Sequence, residues 1–484
     1  MKSLRSQTIS GVKWTAVSSM VLVISAPLLL LIKTRFLTPE EFGYIAILSV
    51  IIGFLQKFEG KGFIKGVIQR DYVDKQEAST LFLFTVVTSA LMAGALYISA
   101  DVLANFFNSS VLGPFVQLMS LIVLINGVSM FFRAFFEKHF FFKEISIIEI
   151  ASHIVLIVLM TLLFAFGFGI SAFVYAQISS NVLIFLLYLG FNAANKSVAV
   201  SVYFSFQKLR HYMRFGLFTS GRDVLNFATK RGDEVIIGAL LGTEILGIYY
   251  FGKNLLEQVR QVSNKAFAKV LFPLFSKLKY EPARTQNVYT TLTNYLSLIF
   301  FPVFIGIALT ASSFVPVIFG EHWLSSVIVI QVFAVLFIVK ILSETLPVNY
   351  LYSQNKPDKV FYIDLAAAVF YFTLLIAFSS LGIAAVITAY VLFNLIRTGL
   401  LTGSAMKLME MPLVPYARSM KKASLFTAGM AGAVMLFQAV SADVAGELGT
   451  LIGSVAIGVI VYSLLLYFYD KNDVIRFYKL ATSK

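Results

Sequence analysis

Residues 216–271 read GLFTSGRDVLNFATKRGDEVIIGALLGTEILGIYYFGKNLLEQVRQVSNKAFAKVL, two helix-length segments joined by a short turn at 242–247. The chain around them is apolar enough to be membrane, so their charges are out of place for lipid-facing helices. At 3.6 residues per turn, Arg222, Asn226, Lys230 and Asp233 fall on one face of the first segment, and Lys253, Glu257, Arg260 and Asn264 on one face of the second. An ionised side chain near the bilayer centre costs about 2.5–3.5 kcal/mol on the insertion scale. Such faces predict a wet, protein-lined cavity with a cationic bias.

The rest of the chain supplies the membrane. Of 484 residues, 58% are hydrophobic and 13% charged, about half the charge of a soluble domain. Hydropathy predicts about fourteen spans, near 14–37, 43–67, 79–100, 114–135, 145–167, 170–191, 216–241, 247–271, 288–311, 324–347, 359–380, 383–404, 422–441 and 448–468. The first is read as a retained helix. With a cytoplasmic N-terminus, the outer loops near 38–42, 101–113, 168–169, 242–246, 312–323, 381–382 and 442–447 contain no Lys or Arg, whereas the opposite loops are rich in both. The positive-inside rule then puts both termini in the cytoplasm. The net charge of +14 belongs to those loops and to a basic interior; nucleic acid is not an expected partner. Residues 192–215, with Phe204, Phe206, Leu209 and Tyr212 among basic residues, predict an interfacial amphipathic linker.

The chain also repeats itself. At an offset of 204 residues, Leu37 meets Leu241, Glu40 meets Glu244, Gly43 meets Gly247, Lys61 meets Lys265, Phe63 meets Phe267 and Lys65 meets Lys269. With a few inserted residues, the stretch beginning at Asp101 lies over that beginning at Ser313, and the end of span four over Tyr350–Lys356. Each copy holds six spans, so the halves share one orientation about an axis along the membrane normal. The expected fold class is an all-α polytopic membrane protein, with pseudo-symmetric six-helix lobes at 1–191 and 216–404, the linker 192–215 between them, and two additional C-terminal helices and a cytoplasmic tail in 405–484.

Chemistry is sparse outside the charges. There is no cysteine, the four histidines are scattered, and no phosphate-binding Gly-rich loop or Walker lysine occurs. No bound cofactor is expected, and ATP hydrolysis has no motif to support it. For His153, one turn from Glu149, a satisfied pair and a proton relay are both open readings. Anion binding is better supported. Lys57, Lys61 and Lys65 follow at four-residue spacing in span two, Lys33 and Arg35 close span one, and Arg222, Lys230, Arg231, Lys253 and Arg260 lie deeper. Lys65 and Lys269 are close enough to the cytoplasmic end to snorkel to headgroups, and Lys33 and Arg35 divide between snorkelling and the cavity. Salt bridges to Asp233 and Glu257 are the structural alternative for the deeper cations. Asp223, Asp233, Glu257 and Asp364 could bind a coupling Na+ or H+, or neutralise neighbouring Lys and Arg.

The segment Arg35-Phe-Leu-Thr-Pro-Glu-Glu-Phe-Gly-Tyr-Ile-Ala46 resembles a signature of the polysaccharide flippases, with Arg35, Leu37, Pro39, Glu41, Phe42, Gly43 and Ala46 at its defining places. The stretches beginning at Gly60, Phe136 and Leu241 look like the same family, and the likeness covers nearly the whole chain. It is closest to the colanic-acid and O-antigen exporter branch of the multidrug/oligosaccharidyl-lipid/polysaccharide superfamily. The resemblance implies two lobes in a V, as in the multidrug (MATE-like) members. It also implies alternating-access flipping of undecaprenyl-pyrophosphate-linked oligosaccharide across the bacterial inner membrane, alongside a polysaccharide polymerase and chain-length machinery. The isoprenoid tail would stay among the membrane lipids. A cation-coupled multidrug antiporter of the same fold and a membrane glycan polymerase or ligase are the alternatives. The surplus of deep Lys and Arg disfavours the first, and the short outer loops disfavour the second.

Overall fold

The computed structural model describes residues 4–482 apart from 59–66, 69, 71 and 442–445; within its helices, the side chains of 4–9, 211, 213–223, 225–226, 261–270, 343–344, 379 and 470–482 are outside the description. Its regular elements are all helices among those residues. Two compact units divide the chain, Met1–Tyr250 and Phe251–Lys484.

The first unit holds α1 (Leu4–Phe36), α2 (Pro39–Leu55), α3 (Lys75–Ile98), α4 (Ala100–Phe106), α5 (Leu112–Lys138), α6 (Phe142–Ala165), α7 (Ile170–Asn195) and α8 (Phe206–Leu240), and in it α9 (Thr243–Lys277) begins. The second unit continues α9 and adds α10 (Pro282–Phe314), a π-helical turn at Val315–Phe319, a 3-10 turn at Glu321–Ser326, α11 (Val327–Ser353), α12 (Pro357–Phe378), α13 (Ile383–Met409), α14 (Leu413–Ser419), α15 (Lys421–Ser441) and α16 (Gly446–Thr482). Eleven segments among the described residues are long and apolar enough to cross a membrane. The three remaining expected spans correspond to α2, α8 and α9. The first of these runs into 59–66, and the other two carry the charged faces.

The repeat is built into the packing. In the first unit α3 packs on α5, α5 on α7 and α6 on α7; in the second, the corresponding helices pair as α10 on α11, α11 on α13 and α12 on α13. The helix ends correspond as well. α5 closes with Phe140 at φ 60 and a bond from the Phe141 amide to Phe136 O, and α11 closes with Asn355 at φ 58 and a bond from the Lys356 amide to Leu351 O. In the regions laid over one another in the sequence, the cap residue after α4, Phe107, and the last residue of the π-helical turn, Phe319, are both buried phenylalanines. α15 and α16 stand outside the repeat and pack on α10, where Gln438 donates to Leu309 O at 3.0 Å and Tyr462 to Leu298 O at 2.6 Å.

The signature-like segment is where α2 meets α9. Thr38 caps α2 in a capping box with Glu41, Pro39 sits in its first turn, and Leu37, Phe42 and Ala46 are buried. A Cβ on Gly43 would lie 1.9 Å from Thr243 O, and one on Gly247 would lie 1.8 Å from Pro39 O. Since Thr243 is Pro39 shifted by 204, these are one contact made twice with roles exchanged. The two helix starts touch backbone to backbone, which only glycine permits.

The linker is shorter than expected. α7 runs to Asn195, and α8 starts at Phe206 instead of near 216, because the Ser205 side chain accepts from the Lys208 amide and caps the helix there. The segment between is strapped onto the start of α3. The Ser201 amide donates to Ser79 Oγ at 2.8 Å, the Ser205 amide to Thr80 Oγ1 at 3.2 Å, and Lys208 Nζ to Asp74 Oδ2 at 2.6 Å. The Lys208 hydrogen bond, reinforced by the Glu77 amide, holds the Asp74 carboxyl below its ordinary 3.8, while the same carboxylate raises Lys208.

Two outcomes follow from this packing. Gly43→Ala or Gly247→Ala is expected to weaken the fold by about 1–3 kcal/mol through overpacking, read as a lower unfolding temperature in detergent. Gly190→Ala, where nothing lies within 4 Å, leaves it unchanged or slightly higher. The Asp74–Lys208 contribution is fully present above the ordinary carboxylate pKa of 3.8 and is lost as pH falls through the lower folded value. At the alkaline end it is full below the ordinary lysine value of 10.5 and is lost as pH rises through the raised Lys208 value. Protease cleavage within 196–205 should therefore rise below about pH 4, and Asp74→Asn should already show the raised cleavage at neutral pH.

Candidate functional site

In the first unit, cations sit on aromatic faces. Lys33, near the end of α1, has its Nζ 5.6 Å from the Phe42 ring centroid and 6.0 Å from that of Phe173. Phe42 packs on Tyr250 with centroids 5.6 Å apart, and the Arg231 guanidinium carbon lies 5.6 Å from the Tyr250 ring. The result is a ladder of Lys33, Phe42, Tyr250 and Arg231 drawn from α1, α2, α9 and α8. Arg231 also donates to Glu234 at 2.9 Å, and Glu234 is buried. Lys57, at the other end of α2, lies 5.4 Å from the Phe227 ring of α8. Asp233 is buried and accepts from Tyr249 Oη at 2.6 Å. Rings can face cations here because their quadrupole stabilises a desolvated positive charge by up to about 2 kcal/mol without cancelling it.

The second unit has the same division of labour. Lys253 of α9 is buried with its Nζ 5.7 Å from the Tyr390 ring of α13. Lys340 of α11 donates to Tyr390 Oη at 2.9 Å. The arginines instead hold carboxylates. Arg260 grips Glu257 through two bonds, Nε to Oε2 at 2.9 Å and Nη2 to Oε1, and Arg397 Nε reaches Asp364 Oδ1 at 2.8 Å.

The structure therefore sorts the candidates. Lys33 and Arg231 share one aromatic ladder, and Lys57 has its own aromatic partner on α8. Lys253 joins Tyr390, and Arg260 takes the ion-pair alternative with Glu257. Lys230 and Arg35 are exposed. Of the carboxylates considered for ion coupling, Glu257 and Asp364 hold arginines and Asp233 a tyrosine hydroxyl. Lys61 lies outside the described residues, as do the side chains of Arg222 and Asp223. Lys340 and Arg397 stand in apolar runs outside the charged faces read from the sequence, and Tyr390 carries no periodic signal; a cation within an apolar run is itself the signal that points to the first two. No group of three His, Cys, Asp or Glu among the described residues could hold a metal ion.

A helical membrane protein with this span order has the fold of the multi-spanning exporters. A lipid II flippase, MurJ, in an inward closed conformation superposes with a TM-score of 0.73 at 13% identity, over 96% of this chain and 99% of that one. An inward-facing multidrug resistance MATE transporter of the MOP superfamily does so at 0.59 and 13% identity, over 86% and 98%. The chain belongs to the polysaccharide biosynthesis protein family, which it matches over residues 32–328. It is 26% identical to the teichuronic acid biosynthesis protein TuaB of Bacillus subtilis over 98% of this chain and 99% of that protein. It is 24% identical to the lipopolysaccharide biosynthesis protein WzxC of Escherichia coli, over 70% and 68%. It is also 24% identical to the succinoglycan biosynthesis transport protein ExoT of Rhizobium meliloti, over 60% and 58%.

The Asp364–Arg397 pair makes a direct test of this sorting. Asp364→Asn is expected to lower stability more than Asp364→Asn combined with Arg397→Gln, with a coupling of about 0.5–3 kcal/mol in a double-mutant cycle read by thermal unfolding.

Proposed function

We propose that this chain flips undecaprenyl-pyrophosphate-linked oligosaccharide units across the bacterial inner membrane by alternating access, for the synthesis of a surface polysaccharide. The observation that carries the reading is the set of cations kept on aromatic faces inside helices of a polysaccharide biosynthesis family member, at Lys33, Arg231, Lys253 and Lys340. The names of its relatives, a transport protein for succinoglycan and biosynthesis proteins for teichuronic acid and lipopolysaccharide, support the same substrate class. The fold shared with a lipid II flippase supports the reaction.

A diphosphate cannot enter hydrocarbon unassisted, and Lys and Arg compensate it with charge-assisted hydrogen bonds. In this reading the cations of each unit act on the diphosphate, Arg222 and Lys230 in the first and Lys253 and Arg260 in the second, with Lys33, Arg35, Lys57, Lys61 and Arg231 as further cations of the first unit, while the isoprenoid tail stays in lipid. The chain works as a transporter without a covalent step. Both termini face the cytoplasm, on the strength of outer loops that contain no Lys or Arg. Coupling to Na+ or H+ would require Asp233, Glu257 or Asp364 to exchange an internal partner for the ion. The multidrug alternative wants carboxylates open to organic cations. The arginines on Glu257 and Asp364 weigh against it.

The test is reconstitution in proteoliposomes with a labelled undecaprenyl-diphosphate oligosaccharide, following access of the glycan to an external lectin. Access is expected to rise with the protein and to fall about tenfold or more in a combined Arg222, Lys230 and Arg260 to Ala variant. Flipping that survives those substitutions unchanged overturns the site assignment. No flipping of any lipid-linked oligosaccharide, with and without an ion gradient, overturns the function.

A further inference from the structure

One end of the second unit gathers exposed positive charge that its own carboxylates do not balance. Phe275, near the end of α9, packs on Tyr289 of α10 and Tyr350 of α11 with centroids 6.0 and 5.7 Å apart, and Tyr289 packs on Tyr416 of α14 at 6.1 Å. Gln286 Nε2 donates to Met409 O at 2.7 Å and ties the start of α10 to the end of α13. The ends of α9, α11 and α13, the start of α10 and the whole of α14 therefore lie together. Lys277, Lys356, Lys359, Lys407, Arg418 and Lys421 are exposed on these ends and on the start of α15, and none of them forms an ion pair with a described residue. Of the carboxylates there, Glu281 is held by Arg284 at 3.1 Å, which leaves Asp358 and Glu410. The corresponding helix ends of the first unit use cations differently. Arg70 reaches Glu77 at 2.6 Å, Lys208 reaches Asp74 at 2.6 Å, and Arg133 binds both Glu137 and Glu149.

α14 adds a second observation. It is a seven-residue helix with no buried side chain, and its Leu413 and Val414 are 66% and 65% exposed. Val414 and Arg418, four residues apart, share one face of it. Apolar tips interleaved with cations, at the ends of helices that cross a membrane, match the surface of a bilayer, where acyl chains take the first and phosphates the second. Like charges at this density repel, and an anionic layer relieves the repulsion, whereas a zwitterionic one brings no net charge to do so. We propose that α14 and the helix ends around it form a docking surface for anionic phospholipid, with Leu413 and Val414 among the acyl chains and Lys407, Arg418 and Lys421 on the headgroup phosphates. The leaflet is the cytoplasmic one in the orientation proposed above, and the surface does not depend on the flippase reading. Because α14 joins α13 to α15, bound lipid fastens the joint between the repeat and the two helices outside it.

The full-length protein in detergent tests this by titration with phosphatidylglycerol and phosphatidylcholine of equal chain length, with retained lipid measured by native mass spectrometry. Wild type is expected to bind phosphatidylglycerol about tenfold or more tighter, a preference that falls as salt is raised. A combined Lys407→Gln, Arg418→Gln and Lys421→Gln variant is expected to bring the two lipids within about threefold of each other. Lys13→Gln, Lys196→Gln and Arg210→Gln together remove the same charge from exposed positions of the first unit and keep the preference. Leu413→Ser with Val414→Ser weakens both lipids alike. Should the second-unit triple variant not remain monodisperse, Arg418→Gln alone carries the test, with a loss of preference of about threefold. Equal binding of the two lipids by wild type overturns the surface, as does a preference that the second-unit variant keeps or that both triple variants lose equally. Equal lipid binding together with salt-sensitive capture of a polyglutamate peptide assigns the face to an acidic protein and overturns the lipid reading.

Discussion

A charge held in hydrocarbon has to be stabilised by the protein, and this chain does it in two different ways. Where a carboxylate meets an arginine, as in Arg260 with Glu257 and Arg397 with Asp364, the pair is neutral and fastens helix to helix or turn to turn. Where a lysine meets a ring, as in Lys33 on Phe42, the ring stabilises the charge without neutralising it. An aromatic partner therefore leaves a positive potential in the membrane that a carboxylate partner would remove. Arg231 does both, with Glu234 on its guanidinium and Tyr250 beneath it. The cationic character of the protein depends on this choice of partner more than on the number of cations.

The geometry that presents these rings is itself constrained by two glycines. Gly43 and Gly247 let the starts of α2 and α9 touch, which brings Phe42 and Tyr250 into contact and puts Lys33 and Arg231 at the two ends of that stack. The signature-like segment reads accordingly as a set of parts with separate tasks. Thr38, Pro39 and Glu41 start the helix, Gly43 allows the crossing, and Phe42 receives Lys33. Because the crossing is reciprocal under the repeat, a single local solution serves both copies.

Much of the fold was legible because it rests on composition and periodicity. The spans, the repeat and the paired glycines can be read from one chain, since hydropathy and a fixed offset need no knowledge of which helices meet. The site was legible only where a charge recurred along one helix. Lys253, Glu257 and Arg260 do recur, and they remain near one another. Arg397 does not, and the partners Tyr390 of Lys340 and Asp364 of Arg397 come from other helices, so spacing alone could not have paired them. Lys230 and Asp233 illustrate the converse limit, since helical spacing put them on one face while packing leaves one exposed and the other buried. The early start of α8 was hidden because the cap at Ser205 lies within a polar stretch that reads as loop.

Positive charge kept within the membrane helices, and not the glycan or the tail, is expected to select what crosses. The most direct measurement compares flipping in proteoliposomes of one oligosaccharide on two carriers of equal tail length, one a diphosphate and one an uncharged glycosidic ether. The diphosphate form is expected to flip, with a rate that is reduced by competing undecaprenyl diphosphate, and the uncharged form to stay at the protein-free background. Equal rates for the two carriers would contradict it.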